Sequence, residues 1–156
     1  MYIMISLGSQ DAAIALLPIL LSGLENIALV GEWPGDVTKE TVDIMAQYHH
    51  HSIGPNALPK LTSTIIHNRF GAEDNAMEQV VALAQLPSLQ DISANRMGGP
   101  FDFNPLWSLG PRISNVEVFN MQECRFENNY FSSFVAGFNK LYKLSCHKQA
   151  DLGDEN

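Results

Sequence analysis

A short stretch of the chain, residues 86–97 (LPSLQDISANRM), constrains the fold more than any other. Before it, residues 76–85 carry the apolar spacing of an amphipathic helix that Asn75 can cap. From residue 86 onward the apolar residues follow the tighter spacing of a strand, at Leu86, Leu89, Ile92 and Ala94. The sequence therefore predicts a helix that leads directly into a strand.

The same helix-and-strand unit recurs along the chain. The first strand residue of each unit, which we term the lead residue, is assigned to Leu24, Leu61, Leu89, Ile113 and Leu141. The intervals between these lead residues are 37, 28, 24 and 28 residues. A repeat of roughly 20 to 50 residues is typical of a solenoid, in which each unit packs only on its neighbours.

The units differ in regularity. Helices are predicted from Ser9 to Leu24, from Thr38 to Tyr48 and from Tyr130 to Phe138, the first of them interrupted by a proline. In the fourth unit a segment rich in glycine and proline, residues 98–111, takes the place of the helix. We therefore expect degenerate units that share their strands more closely than their helices.

Size and composition limit the classes of protein to which the chain can belong. With 156 residues, of which 46% are hydrophobic, we expect one domain over residues 1–148 and a disordered acidic tail over 149–156. The net charge of -8 repels phosphate backbones and anionic lipids, so we expect neither nucleic acid nor a membrane as a partner. No apolar run is long enough to span a bilayer, and no secretory signal is recognisable. These features favour a cytoplasmic or nuclear protein.

The frame LxxLxLxx(N/C) on a strand, joined to the next strand by a helix, carries a family resemblance. Residues 113–124 follow this frame, with Ile113 in the lead and Met121 at the Asn or Cys position. The chain resembles the leucine-rich repeats. Its irregular spacing and short helices are similar to those of the degenerate repeats in the C-terminal part of fungal F-box-like proteins. We expect no F-box, the helical module that docks a ubiquitin-ligase adaptor, because the first predicted helix already belongs to a repeat.

The resemblance implies an α/β fold, a short leucine-rich-repeat solenoid of about five degenerate strand-helix units with a parallel sheet inside and helices outside. The residues expected to form one continuous core are Leu89, Ile92, Val116, Val118, Leu141 and Leu144. Side chains between the core positions would meet a protein ligand on the concave face of the sheet. The residues predicted to contact that ligand are Asn26, Ala28, Val30, Asp91, Ser93, Asn95, Asn115, Glu117, Phe119, Lys143, Ser145 and His147.

The N-terminal end of the chain is predicted to be a surface for self-association. Apolar residues wrap most of the circumference of the first predicted helix, which is more than contact with one strand can bury. If residues 2–7 form an additional strand, its outer edge stays unpaired beside that helix. We therefore expect the chain to self-associate through this open end.

No motif in the sequence supports catalysis or cofactor binding. The consecutive residues His49, His50 and His51 fall on a predicted loop, where such side chains rarely converge on one ion, so we expect no metal site. Cys124 and Cys146 lack zinc-site spacing and are interpreted as buried, unreactive thiols. The glycines follow neither the dinucleotide nor the phosphate-loop pattern, so no cofactor is predicted.

The sequence thus favours a non-enzymatic protein-interaction module, in the form of a fragment of a substrate-recognition protein of the F-box-like kind. Two alternatives stay open. The strand-helix units could instead form a small doubly wound α/β enzyme of unknown reaction, with glycines and acidic residues gathered where strands end and helices begin. The chain could also be a truncated gene product without independent function.

Overall fold

A computed structural model describes residues 2–7, 23–31, 44, 58–68, 76–97, 112–124 and 128–148. The strands in these ranges are β1 (Tyr2–Leu7), β2 (Asn26–Gly31), β3 (Ser63–Asn68), β4 (Asp91–Asn95), β5 (Val118–Cys124) and β6 (Lys143–Lys148). The helices are α1 (Ala76–Ala84) and α2 (Asn128–Ala136).

All six strands form one parallel sheet, in the order in which they occur along the chain. The predicted α/β class and parallel sheet are therefore confirmed, and residues 2–7 do form an additional first strand. Right-handed crossovers that always step in one direction place their connections on the same face of a sheet. Since the described strands never reverse their order, they lack the switch point at which a doubly wound fold binds its ligand.

A repeated pair of backbone hydrogen bonds joins the start of each strand from β3 to β6 to the start of the strand before it. The N–H groups of Thr62 and Ser63 both donate to the carbonyl oxygen of Glu25, at 2.8 and 3.2 Å. The same pair recurs from Gln90 and Asp91 to Thr62, from Glu117 and Val118 to Gln90, and from Tyr142 and Lys143 to Glu117. Residues 25, 62, 90, 117 and 142 are therefore equivalent, and each directly follows a lead residue.

This equivalence corrects the lead residue of the fourth unit. Val116, which precedes Glu117, takes the lead position, so the prediction of Ile113 is wrong. The lead residues are Leu24, Leu61, Leu89, Val116 and Leu141, at intervals of 37, 28, 27 and 25 residues. Ile113 lies three residues too early, and β5 begins only at Val118.

One hydrophobic core lies on the side of the sheet that α1 and α2 cover. Each unit contributes its lead residue and the residues three and five positions later. In strand register these later positions form two ladders, one of Ile27, Thr64, Ile92, Phe119 and Leu144 and one of Leu29, Ile66, Ala94, Met121 and Cys146. The core therefore runs continuously beneath β2 to β6.

Five of the predicted core residues do belong to this core region. Leu89, Ile92 and Val116 are fully buried, whereas Leu141 and Leu144 pack against the core and stay partly exposed. The prediction for Val118 is wrong, because this residue pairs in register with Asp91 and Lys143 on the opposite face of the sheet.

The two described helices cover the sheet with apolar side chains. Helix α1 begins and ends within one residue of its prediction and buries Met77, Val80 and Val81. Helix α2 starts two residues earlier than predicted and buries Phe134, whose ring meets that of Phe119 edge-on at a centroid distance of 5.3 Å. Neither helix is long and apolar enough to cross a membrane.

Several predictions fall outside the described residues. These are the first predicted helix up to residue 22, the second apart from Ile44, which is helical, the glycine- and proline-rich segment 98–111, and the tail 149–156. The run His49 to His51 also lies there.

Candidate functional site

The side chains that point away from the core form the second face of the sheet, which we term the open face. Each strand contributes every second residue to this face, because successive side chains of a strand alternate between its two sides. The described open-face residues form three rows in strand register. The rows are Asn26, Ser63, Asp91, Val118 and Lys143; Ala28, Ile65, Ser93, Asn120 and Ser145; and Val30, His67, Asn95, Gln122 and His147.

Most of the residues predicted to contact a ligand occupy open-face positions. The partly or fully exposed members are Asn26, Val30, Asp91, Ser93, Asn95, Lys143, Ser145 and His147. Ala28 also occupies an open-face position, but it is only 3% exposed and gives a partner little to contact.

The predictions for Asn115, Glu117 and Phe119 need correction. Asn115 and Glu117 precede β5, and the Asn115 Nδ2 donates to the carbonyl oxygen of Pro87 at 3.0 Å. Phe119 is fully buried in the core, so its ring cannot meet a partner. The error follows from the wrong lead residue, because a shift of three residues moves every side chain of the strand to the other face.

Two groups of open-face residues were missed by the sequence reasoning. Ser63, Ile65 and His67 come from β3, and Val118, Asn120 and Gln122 come from β5. The sequence did contain a signal for the first group. Leu61 was assigned as the lead residue, and alternation counted from Leu61 places Ser63, Ile65 and His67 on the open face. The polar Thr64 at a core position hid that alternation, because a buried strand usually presents an apolar residue there.

An apolar side chain lies near the middle of the open face. Ile65 is 43% exposed and is paired in register with Ala28 on one side and Ser93 on the other. Its neighbours on the open face include the hydroxyls of Ser63 and Ser93 and, diagonally on the adjacent strand, the carboxylate of Asp91. Burial of Ile65 by a partner would remove apolar area from water.

The charged members of the open face do not pair with each other. Asp91 and Lys143 lie in the same row, with Val118 between them. Two strand spacings place their Cα atoms about 10 Å apart. Among the described residues, the two charges lie on either side of an apolar residue, where a ligand that crosses the sheet would contact both.

The two histidines of the open face are too far apart to act together. His67 and His147 belong to one row, with Asn95 and Gln122 between them. Three strand spacings separate them by about 14 Å, which excludes a shared metal ion or a direct proton transfer. The Asn95 Oδ1 between them is hidden from solvent and has no hydrogen-bond partner in the described part of the chain.

An ion pair joins the carboxyl ends of β4 and β5. The Arg96 Nε donates to the Glu123 Oε2 at 2.7 Å, and both side chains are about half exposed. Both residues adopt positive φ angles, 58° and 53°, and the β5–β6 register shifts between Gln122 and Cys124. This irregularity turns Glu123 outward and Cys124 into the core.

The two cysteines are free thiols in different surroundings. The Cys124 Sγ donates to the carbonyl oxygens of Gln122 at 3.3 Å and Ala94 at 3.6 Å. Burial raises the pKa of Cys124 to about 11, so it is a neutral thiol at physiological pH and a poor nucleophile. The prediction of a buried thiol is wrong for Cys146, which is exposed on the last strand.

The described residues bring together no group of three or more His, Cys, Asp or Glu side chains that could hold a metal ion. A comparison with protein-family models, characterised proteins and solved structures found no match to this chain. Any functional argument therefore depends on the open face itself.

Proposed function

We propose that the chain is a short leucine-rich-repeat solenoid that binds a protein ligand on its open face and catalyses no reaction. The observation that carries this proposal is the arrangement of the sheet. Consecutive strands are parallel, in register and in chain order, and helices cover only one of the two described faces. The other face is left as a continuous surface of side chains from successive units.

The repeated junction supports a repeat architecture. The same pair of hydrogen bonds recurs at four successive strand starts, although the segments between the strands differ in length and composition. A junction that repeats while the connections vary is expected when each unit is built to pack on the one before it. The resemblance of the chain to F-box-like proteins implies that these repeated units would serve as a substrate-recognition region.

The chemistry of the open face supports a protein ligand. Amides, hydroxyls and imidazoles surround the exposed Ile65, and Asp91 and Lys143 supply one charge of each sign. An apolar centre with a mixed polar surround is the usual composition of a protein-protein interface. The absence of a basic majority on this face also disfavours a phosphate backbone.

The test compares two substitutions of the same chemistry. Ile65 on the open face is 43% exposed, and Ile44, a helical residue outside the sheet, is 44% exposed. Wild type, Ile65→Arg and Ile44→Arg are each immobilised on a resin and incubated with native extract. The proteins that each resin retains are then quantified. We expect a protein that binds wild type and Ile44→Arg but binds Ile65→Arg about tenfold less, a loss of about 1.4 kcal/mol.

Thermal melts of both variants establish that each is folded, since exposed substitutions away from special features usually change stability by about 0.5 kcal/mol or less. Retention of the same proteins in the same amounts by Ile65→Arg would contradict the proposal. So would a turnover of generic ester, phosphate or peptide substrates that copurifies with the chain.

A further inference from the structure

The exposed apolar side chain of the open face has a carboxylate beside it. Ile65, which is 43% exposed, pairs in register with Ser93, and Asp91 lies two residues before Ser93 on the same strand. Ile65 and Asp91 therefore lie on the same face of adjacent strands. One strand spacing and two residues of rise place their Cα atoms about 8 Å apart.

No described residue neutralises the Asp91 side chain. Asp91 is exposed, and within the described ranges its carboxylate forms neither an ion pair nor a side-chain hydrogen bond. Its neighbours in strand register are Ser63 and Val118, which carry no charge. Lys143 lies beyond Val118, about 10 Å from Asp91.

A second carboxylate makes this part of the sheet more acidic. Glu117 directly precedes Val118, the register partner of Asp91, so the Cα atoms of the two acidic residues are about 6 Å apart. The chain as a whole has a net charge of -8. The potential around Asp91 therefore favours a cationic group.

The position of Asp91 limits what can cover Ile65. A partner that buries Ile65 also removes water from the neighbouring carboxylate, and a carboxylate without water or a cation is costly. A purely apolar side chain of the partner would gain the area of Ile65 and leave Asp91 unpaired. An arginine or lysine side chain satisfies both residues, because its methylene stem packs on apolar surface while its charged end stays at the polar group.

We infer that the ligand of the open face places a basic side chain over Ile65, with its cationic group on the Asp91 carboxylate. This inference rests on the proposed function and specifies the chemistry of the protein ligand. Arginine fits better than lysine, because its planar guanidinium bonds both carboxylate oxygens and is more weakly hydrated. The hydroxyl oxygens of Ser63 and Ser93 lie beside the same position as further acceptors.

The test uses short random peptides displayed on phage. Peptides are selected on the wild-type protein, and those that bind Ile65→Ser equally well are discarded. The retained peptides are synthesised, and their dissociation constants are measured with wild type, Asp91→Asn and Glu123→Gln. Asp91→Asn removes the charge at nearly constant shape. Glu123→Gln is the matched control, since it removes one carboxylate that Arg96 already binds at the end of the sheet.

The retained peptides should share a basic residue. Replacement of that residue by glutamine should weaken binding to wild type about tenfold, and Asp91→Asn should weaken binding of the original peptide by a similar factor. The two changes together should weaken binding little more than either one, because both remove the same contact. Glu123→Gln should bind like wild type, and thermal melts establish that each variant is folded.

Two results would overturn this inference and leave the proposed ligand site standing. One is a set of peptides that depend on Ile65 and share no basic residue. The other is a basic residue whose contribution is the same in wild type and Asp91→Asn, or is lost equally in Glu123→Gln. If no peptide distinguishes wild type from Ile65→Ser, the open face holds no such segment, and the proposed function fails together with this inference.

Discussion

Strands β5 and β6 carry the same pattern of core positions but differ in how well those positions are covered. In β5 and its lead-in, Val116, Phe119 and Met121 are at most 1% exposed. In the last unit, Leu141 and Leu144 are only partly buried and Cys146 is exposed. The difference teaches that the core of a unit is completed by the unit that follows it, because β5 has β6 and α2 beyond it.

The largest expected effect comes from a charge at the lead position. Val116→Asp should leave the chain unfolded, because an unpaired buried carboxylate costs several kcal/mol, comparable with the whole stability of a domain. Leu141→Asp, at the equivalent position in the last unit, should cost much less, because its carboxylate can reach water. Urea unfolding of both variants measures the difference. Equal losses would mean that the two lead positions are equally buried.

The next comparison removes apolar volume from one ladder. Phe119→Ala should lower the free energy of unfolding by about 3–5 kcal/mol, because the ring packs against Phe134 and Phe138. Leu144→Ala should cost less than about 2 kcal/mol, since its side chain is already partly in water. Thermal denaturation measures the loss of stability in both variants. A larger loss in Leu144→Ala than in Phe119→Ala would contradict the comparison.

A third substitution tests the one polar member of that ladder. Thr64 is 1% exposed, and its Oγ1 has no hydrogen-bond partner in the described residues. Thr64→Val should raise the free energy of unfolding by about 1 kcal/mol, because it removes an unsatisfied buried hydroxyl at constant shape. The control Thr64→Ser keeps the hydroxyl, loses a methyl group and should cost about 1 kcal/mol. If denaturant unfolding gives Thr64→Val a lower free energy of unfolding than wild type, the Thr64 hydroxyl has a hydrogen-bond partner.

The last comparison concerns the two thiols, and its effect on stability appears only at high pH. Because burial raises the pKa of Cys124 from 9.0 to about 11, the unfolded thiol ionises first as pH rises. The free energy of unfolding of wild type should therefore fall between about pH 9 and pH 11, and Cys124→Ala should lack that contribution. Urea melts across this range measure it, and identical slopes in the two proteins would contradict it. In native protein near neutral pH, a thiol reagent should modify Cys146 and spare Cys124.

The sequence predicted the fold class and the strand pattern because the apolar positions of the LxxLxL spacing are the positions whose side chains are buried. It did not place the fourth unit correctly, since residues 113–124 satisfy that spacing with either Ile113 or Val116 in the lead. The hydrogen bonds of Glu117 and Val118 to Gln90, together with the register of β5, distinguish the two. Because three is an odd number, the same error moved Phe119 to the open face and Val118 to the core.

The positive φ of Glu123 was equally beyond the sequence. Strict alternation along β5 would turn Glu123 into the core and Cys124 outward. The shift in register at this point reverses both, and Arg96, with its own positive φ, lies beside it to form the ion pair. Neither residue is a glycine, so no local signal marked the turn.

The order of the strands has a mechanical consequence. Each described strand pairs only with the strands that precede and follow it in the chain, so no two distant segments must meet before the rest of the sheet can form. A force applied to the two ends of the chain would pull along this order. We expect strands to peel away singly from the ends, in a series of small extensions, before the middle of the sheet yields.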